Sequence, residues 1–332
     1  MLDYKTVGLT HEDLKEIYKW MLLGRKIDER MWLLNRAGKL PFVISCQGQE
    51  ATQIGTYYAL QDDDVLAPYY RDLALVTARG ITAEESMLAA FAKEGDTSSG
   101  GKQMPSHFSK KDLNILTQGS CVTTQVLHAA GASLSLKMDN KKNIALATLG
   151  EGSTSQGDFH EAMNFAGVHK LPYICIIENN KYAISVPTEL QFATDDLSKR
   201  AEGYGAFGEQ VDGNDPIAVY KSVKKARERA INGEGPTLIE AICSRLTPHS
   251  SDDNDNYRPA EELKEEKEND CNIKFKEYLI ENEVADEEWF NQIEEEIKQE
   301  INTATKNAEK APYPRPEEAL THVYDQGGES NA

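Results

Sequence analysis

Residues 143–180 read NIALATLGEGSTSQGDFHEAMNFAGVHKLPYICIIENN, and the fold is decided there. An apolar run over 143–149 meets the turn Gly150-Glu151-Gly152; a helical stretch follows over 156–168, and a second apolar run covers 172–177. Two apolar runs joined by one helix make a βαβ unit, because parallel neighbours need a crossover of that length. Neither run alternates polar with apolar residues, as strands covered by helices on both faces would not. The expectation is an α/β fold with a parallel sheet flanked by helices. Ligands of such sheets bind beyond the carboxyl ends of the strands, where Glu151 and Asn180 stand. A further strand is expected over 237–243, followed by the polar loop 247–258 that carries His249. Three strand ends thus present polar loops on one edge.

Working outward, Thr10 and the acids Glu12 and Asp13 form a helix start, and Leu14, Ile17, Tyr18, Met21 and Leu22 follow at helical spacing. A long amphipathic helix is expected over 10–40, with more surface than one small core needs, so part of it would face another subunit. Helices are also expected over 48–60 and 84–92. Between them and the central unit, GDTSSGGKQMPSH (95–107) is a loop, of a length that is often functional. Residues 261–300 hold 16 Asp or Glu against 5 Lys. Trp289, Ile293, Ile297 and Ile301 recur there at i+4, so the charges form the solvated face of a packed helix. After Pro312 the chain runs extended and closes on a tail, GGESNA. The chain divides into a helical extension (1–40), an α/β domain (41–260) and an acidic helical region with its tail (261–332).

The 332 residues are 39% hydrophobic and 27% charged, enough to bury a sizeable core and too apolar for a disordered chain. A net charge of −19 repels phosphate backbones and anionic lipid, which argues against nucleic-acid and membrane partners. No run approaches the ~18–20 apolar residues of a membrane span, and the start lacks signal-peptide character, so the cytoplasm is the expected compartment. Cys46, Cys121, Cys175, Cys243 and Cys271 are scattered without a C-x-x-C pair and read as reduced thiols.

A glycine-acid-glycine turn between strand and helix lets backbone approach a phosphate, while the helix start offers amide donors. One reading is a dinucleotide site, with Glu178 as the ribose-binding acid. That fingerprint requires G-x-G-x-x-G, however, and Ser155 stands where the third glycine belongs. The other reading joins Glu151 to Asn180, 29 residues later, as oxygen ligands converging on Mg²⁺, which commonly bridges a carboxylate to phosphates. G-E-G, 26 residues, then N-N is the thiamine diphosphate motif.

With QGQEA (47–51), PYYRD (68–72), GKQMP (101–105), GEG (150–152), ENNKYAI (178–184), VDGND (211–215) and HSSDD (249–253), the chain resembles the alpha subunit of the decarboxylating component of 2-oxo acid dehydrogenase complexes, from about residue 10 to the tail. Within that family the pyruvate branch resembles G-D-G, whereas G-E-G followed by N-N-x-Y-A-I-S resembles the branched-chain branch. Glu151, Ala183 and Ile184 thus favour branched-chain 2-oxo acids, with pyruvate and acetoin as alternatives separated by small pocket differences.

The resemblance implies that Glu151, Asn180 and the Tyr182 carbonyl hold Mg²⁺, that Tyr70 and Arg71 contact the diphosphate, and that Gly152, Ser153 and Ser120 line its cradle. His249 would approach cofactor and substrate, donating to an anionic oxygen or moving a proton. The neighbouring Ser250 matches a serine phosphorylated in animal enzymes, although nothing in this chain implies a dedicated kinase. Thr124 and Gln125 match a K⁺ site of the branched-chain family, whereas Gly119 and Cys121 depart from it. Glu178 replaces a basic cofactor contact and is left out of the site; His107 receives no role. The carboxylate that activates the aminopyrimidine would come from a beta subunit, for which 332 residues hold no second module. The resemblance therefore implies an α2β2 heterotetramer that passes its acyl product to a lipoyl-bearing dihydrolipoyl acyltransferase, with the loop at His249 meeting the lipoyl domain.

Overall fold

Thr10 starts the first long helix of the computed structural model, which describes residues 1–321. Its hydroxyl accepts from the Asp13 N–H while the Asp13 carboxylate accepts from the Thr10 N–H, a reciprocal cap on α1 (His11–Arg36). The chain continues through α2 (Glu50–Ala59), β1 (Val65–Ala67), α3 (Leu73–Ala78), α4 (Ala83–Ala90) and α5 (Thr124–Met138). The central unit is β2 (Ala145–Gly150), α6 (Gly157–Val168) and β3 (Tyr173–Asn179), followed by a small hairpin, β4 (Tyr182–Ala183) and β5 (Val186–Pro187). After α7 (Arg200–Gly203) come β6 (Phe207–Asp212), α8 (Pro216–Ile231) and β7 (Thr237–Ile242). The acidic region forms α9 (Ala260–Glu268), α10 (Cys271–Glu281) and α11 (Glu287–Lys310). The closing GGESNA lies outside the described residues.

Among the described residues, five parallel strands form one sheet in the order β1-β2-β3-β7-β6. Side chains alternate along the strands, so β1, β2, β3 and β7 each feed two cores. Leu146, Ile174, Ile176 and Ile239 pack in the same cluster as residues of α1, α2, α3, α4, α8, α10 and α11. Ala147, Leu149, Tyr173, Cys175 and Ile177 pack with α5 and α6 on the other face. The continuous apolar runs are the consequence of covering both faces. β1 and β6 went unread in the sequence for physical reasons. β1 is three residues long, too short to show a pattern, and β6 is a half-exposed edge strand carrying Glu209, Gln210 and Asp212.

The acidic helix packs as its spacing requires: Ile293, Ile297 and Ile301 are buried, but Phe290, rather than Trp289, begins the buried row. Trp289 is half-buried and lies tilted against Tyr18 of α1 and edge-on against Phe290. The acids of α10 and α11 stand outward, whereas Glu266 of α9 and Asp270 are buried. Asp270, just before α10, shares the buried Arg25 of α1 with Glu50 of α2: Arg25 Nε lies 2.5 Å from Glu50 Oε1, and Nη1 lies 2.7 Å from Asp270 Oδ2. One guanidinium fork thereby ties three distant segments together.

Removal of that fork leaves two buried carboxylates without their cation. Arg25→Met is expected to lower unfolding free energy by about 3–5 kcal/mol, read from urea denaturation midpoints at pH 7. A loss within experimental scatter would show that the network is energetically idle.

Candidate active site

The in-register pairing of Gly150 with Glu178 sets the ends of β2 and β3 level with each other. The chain leaving β2 turns at once into a short 3-10 segment, Glu151–Ser155, which brings the Glu151 side chain beside the backbone that leaves β3. The Asn180 N–H donates to Glu151 Oε2 at 3.3 Å, and Gln191 Nε2 donates to Glu151 Oε1 at 3.3 Å. Burial pushes the Glu151 carboxyl above its ordinary range, against the opposing pull of Gln191, its own backbone, Asn180 and Arg245.

The hairpin after Asn180 is bent hard, with Lys181 at φ 70° and Ile184 at φ 56°, both in the left-handed region. Arg245, just past β7, fixes it from beneath by donating to the carbonyls of Tyr182 at 3.3 Å and Ile184 at 3.0 Å. Gly152 answers to the same hairpin: a Cβ there would lie 2.4 Å from the Cβ of Ala183. The second glycine of G-E-G is therefore demanded by packing, whatever else the turn approaches.

Between β1 and α3, Tyr70 and Arg71 enter from a third strand end. Arg71 is only 2% exposed. Its Nη1 donates to the Ser45 carbonyl at 2.7 Å, its Nη2 lies 3.3 Å from His249 Nδ1, and both nitrogens reach the His249 carbonyl at 3.4 Å. No ion pair among the described residues includes Arg71, and its Nε is buried without a partner. The Ser45 end is pinned by the fully buried Asp28 of α1, which accepts from Ser45 Oγ at 2.8 Å and from the Cys46 N–H at 2.6 Å. An unpaired guanidinium held this deep is costly without an anion.

His249 receives the Arg71 fork through Nδ1. Arginine has only donors, so Nδ1 accepts and the ring proton sits on Nε2. Burial and the nearby Arg71 and Arg245 charges pull the imidazole down to about 4, with Asp253 opposing, so the ring is neutral at physiological pH. In this state His249 is an N–H donor. The Asp253 carboxylate accepts from the His249 backbone N–H at 2.9 Å and holds the loop.

These pieces surround a cavity of about 350 Å³. Tyr70, Arg71, Ser120, Glu151, Gly152, Ser153, Asn180, Tyr182 and His249 all line it, together with Tyr69, Val122, Ala183 and Ile184. Thr124 and Gln125 do not line it; they open α5, where Gln125 Nε2 donates to the Thr148 carbonyl at 3.0 Å. Glu178 also lies outside the lining, accepting from Gln53 Nε2 at 3.2 Å and from the Tyr69 hydroxyl at 3.1 Å. Ser250 is buried beside His249. Gln191, Arg245 and Asp28 support the site without any local motif to mark them, although Arg245 follows a strand end that the sequence does reveal. A second groove, of about 400 Å³ between α1 and α11, is lined by surface charges of both signs, including the pairs Lys26–Glu29 and Lys298–Glu295, and offers no comparable convergence.

The chain is a parallel α/β protein with a cavity at its strand ends, and it belongs to the dehydrogenase E1 component family, which matches residues 18–317. It is 54% identical over 323 residues to the 2-oxoisovalerate dehydrogenase subunit alpha of Bacillus subtilis, a match covering 97% of this chain and 98% of that relative. It is also 38% identical over 320 residues to the pyruvate dehydrogenase E1 component subunit alpha of Bacillus subtilis, covering 96% and 84% of the two chains. Its identity to the Staphylococcus aureus pyruvate dehydrogenase E1 component subunit alpha is 38% over 303 residues, covering 91% and 79%.

The His249 environment sets a pH dependence whose sign is fixed. Because folding lowers the proton affinity of the ring, its contribution to stability is intact above about 6.5 and is lost as pH falls toward about 4. Imidazole NMR is expected to place the His249 midpoint near 4, and Arg71→Gln is expected to move it upward. A midpoint near the ordinary value in the unsubstituted protein would contradict the geometry.

Proposed function

We propose that this chain is the alpha subunit of a thiamine diphosphate-dependent branched-chain 2-oxo acid dehydrogenase, decarboxylating 3-methyl-2-oxobutanoate and its homologues and transferring the acyl group to a lipoyl group. The observation that carries the reading is Arg71: a buried guanidinium without a carboxylate partner, facing a cavity whose opposite wall supplies hard oxygen donors. Among the described residues no cluster of three or more His, Cys, Asp or Glu would hold a metal unaided. One carboxylate, one amide and one carbonyl suit Mg²⁺, which completes its shell with phosphate oxygens and water.

In this reading Glu151 Oε, Asn180 Oδ1 and the Tyr182 carbonyl hold Mg²⁺, and Arg71 offers its fork to the diphosphate. Tyr70, Ser120, Gly152 and Ser153 complete the cradle. Bound thiamine diphosphate supplies the electron sink for decarboxylation. His249 offers its Nε2–H to an oxygen of the substrate, and the buried Asp28–Ser45–Arg71 chain keeps that donor oriented. The assignment of Thr124 and Gln125 to K⁺ belongs to the same reading and rests on their pattern alone.

The aminopyrimidine end requires a carboxylate from a beta subunit in an α2β2 assembly, and the lipoyl acceptor requires an acyltransferase. Among the described residues no helix is long and apolar enough to cross a membrane, and a cytoplasmic setting is part of the proposal. The branched-chain assignment is supported by Glu151 in the G-E-G turn and by the greater identity to the 2-oxoisovalerate enzyme.

The test is decarboxylation by the chain co-purified with its beta partner, using an artificial electron acceptor. Turnover is expected to be faster with 3-methyl-2-oxobutanoate than with pyruvate or acetoin and to require both thiamine diphosphate and Mg²⁺. A preference for pyruvate would retain the chemistry and overturn the branch. Gln191→Leu, which strips one hydrogen bond from Glu151, is expected to raise the Mg²⁺ concentration for half-maximal activity on the order of 10–100-fold. Unchanged Mg²⁺ dependence would show that the Gln191 hydrogen bond does not orient Glu151 for the metal.

A further inference from the structure

We propose that His107 is a proton-linked positioning residue for the diphosphate end of the cofactor, acting through Ser120; the inference rests on the cofactor reading above. His107 Nδ1 lies 3.0 Å from the Met104 carbonyl and 3.3 Å from the Pro105 carbonyl. Carbonyl oxygens only accept, so the hydrogen-bond network assigns a proton to Nδ1. In the neutral ring Nε2 is then a bare acceptor, and Ser120 Oγ, 2.7 Å away, must give it the single hydroxyl hydrogen. Ser120 lines the cofactor cavity, yet in this state it turns only lone pairs toward the cavity. A phosphate oxygen also brings only lone pairs.

One proton resolves the conflict. When Nε2 takes a proton from solvent, the ring donates to Ser120 Oγ and the hydroxyl hydrogen is free to point at phosphate; no bond between heavy atoms is made or broken. The anion in turn favours the imidazolium. Binding of diphosphate and protonation of His107 are therefore coupled through a hydroxyl that can donate in one direction at a time.

The surroundings leave Ser120 as the route of that coupling. Glu85 of α4 and Asp96 of the 95–107 loop line the small pocket that His107 also lines. Glu85 is paired with Lys110 at 2.7 Å, and Asp96 accepts from the backbone N–H groups of Ser98 and Gly101 at 2.9 and 3.0 Å. On the far side of Ser120 the cavity holds Arg71, Glu151 and His249. Among the described residues, the hydrogen bonds of the His107 ring go to Met104, Pro105 and Ser120 and to no charged group.

The experiment is calorimetric titration of the cofactor-free alpha–beta assembly with thiamine diphosphate at saturating Mg²⁺, in paired buffers of different ionisation heat. Unsubstituted protein is compared with His107→Gln, whose amide N–H donates to Ser120 at every pH. The unsubstituted assembly is expected to take up as much as about one proton more per cofactor than the variant. Its affinity is expected to fall relative to the variant by as much as roughly tenfold per pH unit. Ser120→Ala, which removes the mediator, is expected to abolish the excess proton uptake, and it carries the test if His107→Gln does not fold. Equal proton uptake by the unsubstituted protein and the variants overturns the inference while leaving the cofactor reading intact. Absence of Mg²⁺-dependent binding by the unsubstituted assembly overturns both.

Discussion

A guanidinium at 2% exposure with no carboxylate beside it is the constraint around which this molecule is arranged. Burying a charge costs several kcal/mol even after relaxation, and the chain spends a long series of contacts on keeping Arg71 there. Asp28 of α1 holds Ser45; the Ser45 carbonyl receives Arg71; Arg71 in turn fixes the ring of His249. Helix α1 lies far from the sheet edge in sequence, and through this relay it reaches the cavity. The unpaired charge makes sense as half of an interaction whose other half is an anionic ligand.

The parallel sheet makes the opposite wall possible. Because β1, β2, β3 and β7 run the same way, Arg71, Glu151, Asn180 and Arg245 all leave the sheet at one edge. Parallel pairing puts positive and negative groups from separated segments within one cavity without a long loop to hold each. The strained hairpin after Asn180 fixes the direction of its backbone carbonyls, and Arg245 donates to those of Tyr182 and Ile184. Such a carbonyl cannot adjust by changing rotamer. Its position is set by the backbone, so the hairpin's support decides where it points.

The central βαβ unit and the strand-end positions of Glu151 and Asn180 were legible because they depend on local pattern: apolar runs of strand length, a helix between them, and a glycine turn. The acidic region was legible for the same reason, from the i+4 recurrence of Ile293, Ile297 and Ile301. What sequence reading could not reach was pairing across distance. Arg25 with Asp270, Gln191 with Glu151, and Arg245 with the Tyr182 carbonyl join segments with no shared periodicity. Gly152 illustrates the difference well, since its place in G-E-G was readable but its collision partner, Ala183, belongs to another element. The neutral state of His249 follows first from burial and then from two arginines contributed by different strand ends, and no motif around the histidine encodes it.

The proposed site takes the diphosphate through Arg71 and the metal through Glu151, Asn180 and Tyr182. A crystal structure of the alpha–beta assembly with thiamine diphosphate and Mg²⁺ tests it most directly. Phosphate oxygens are expected within hydrogen-bonding distance of the Arg71 guanidinium, with a cation coordinated by Glu151, by the Asn180 amide oxygen and by the Tyr182 carbonyl. Cofactor density elsewhere, or an Arg71 still without an anionic partner in the loaded complex, would contradict it.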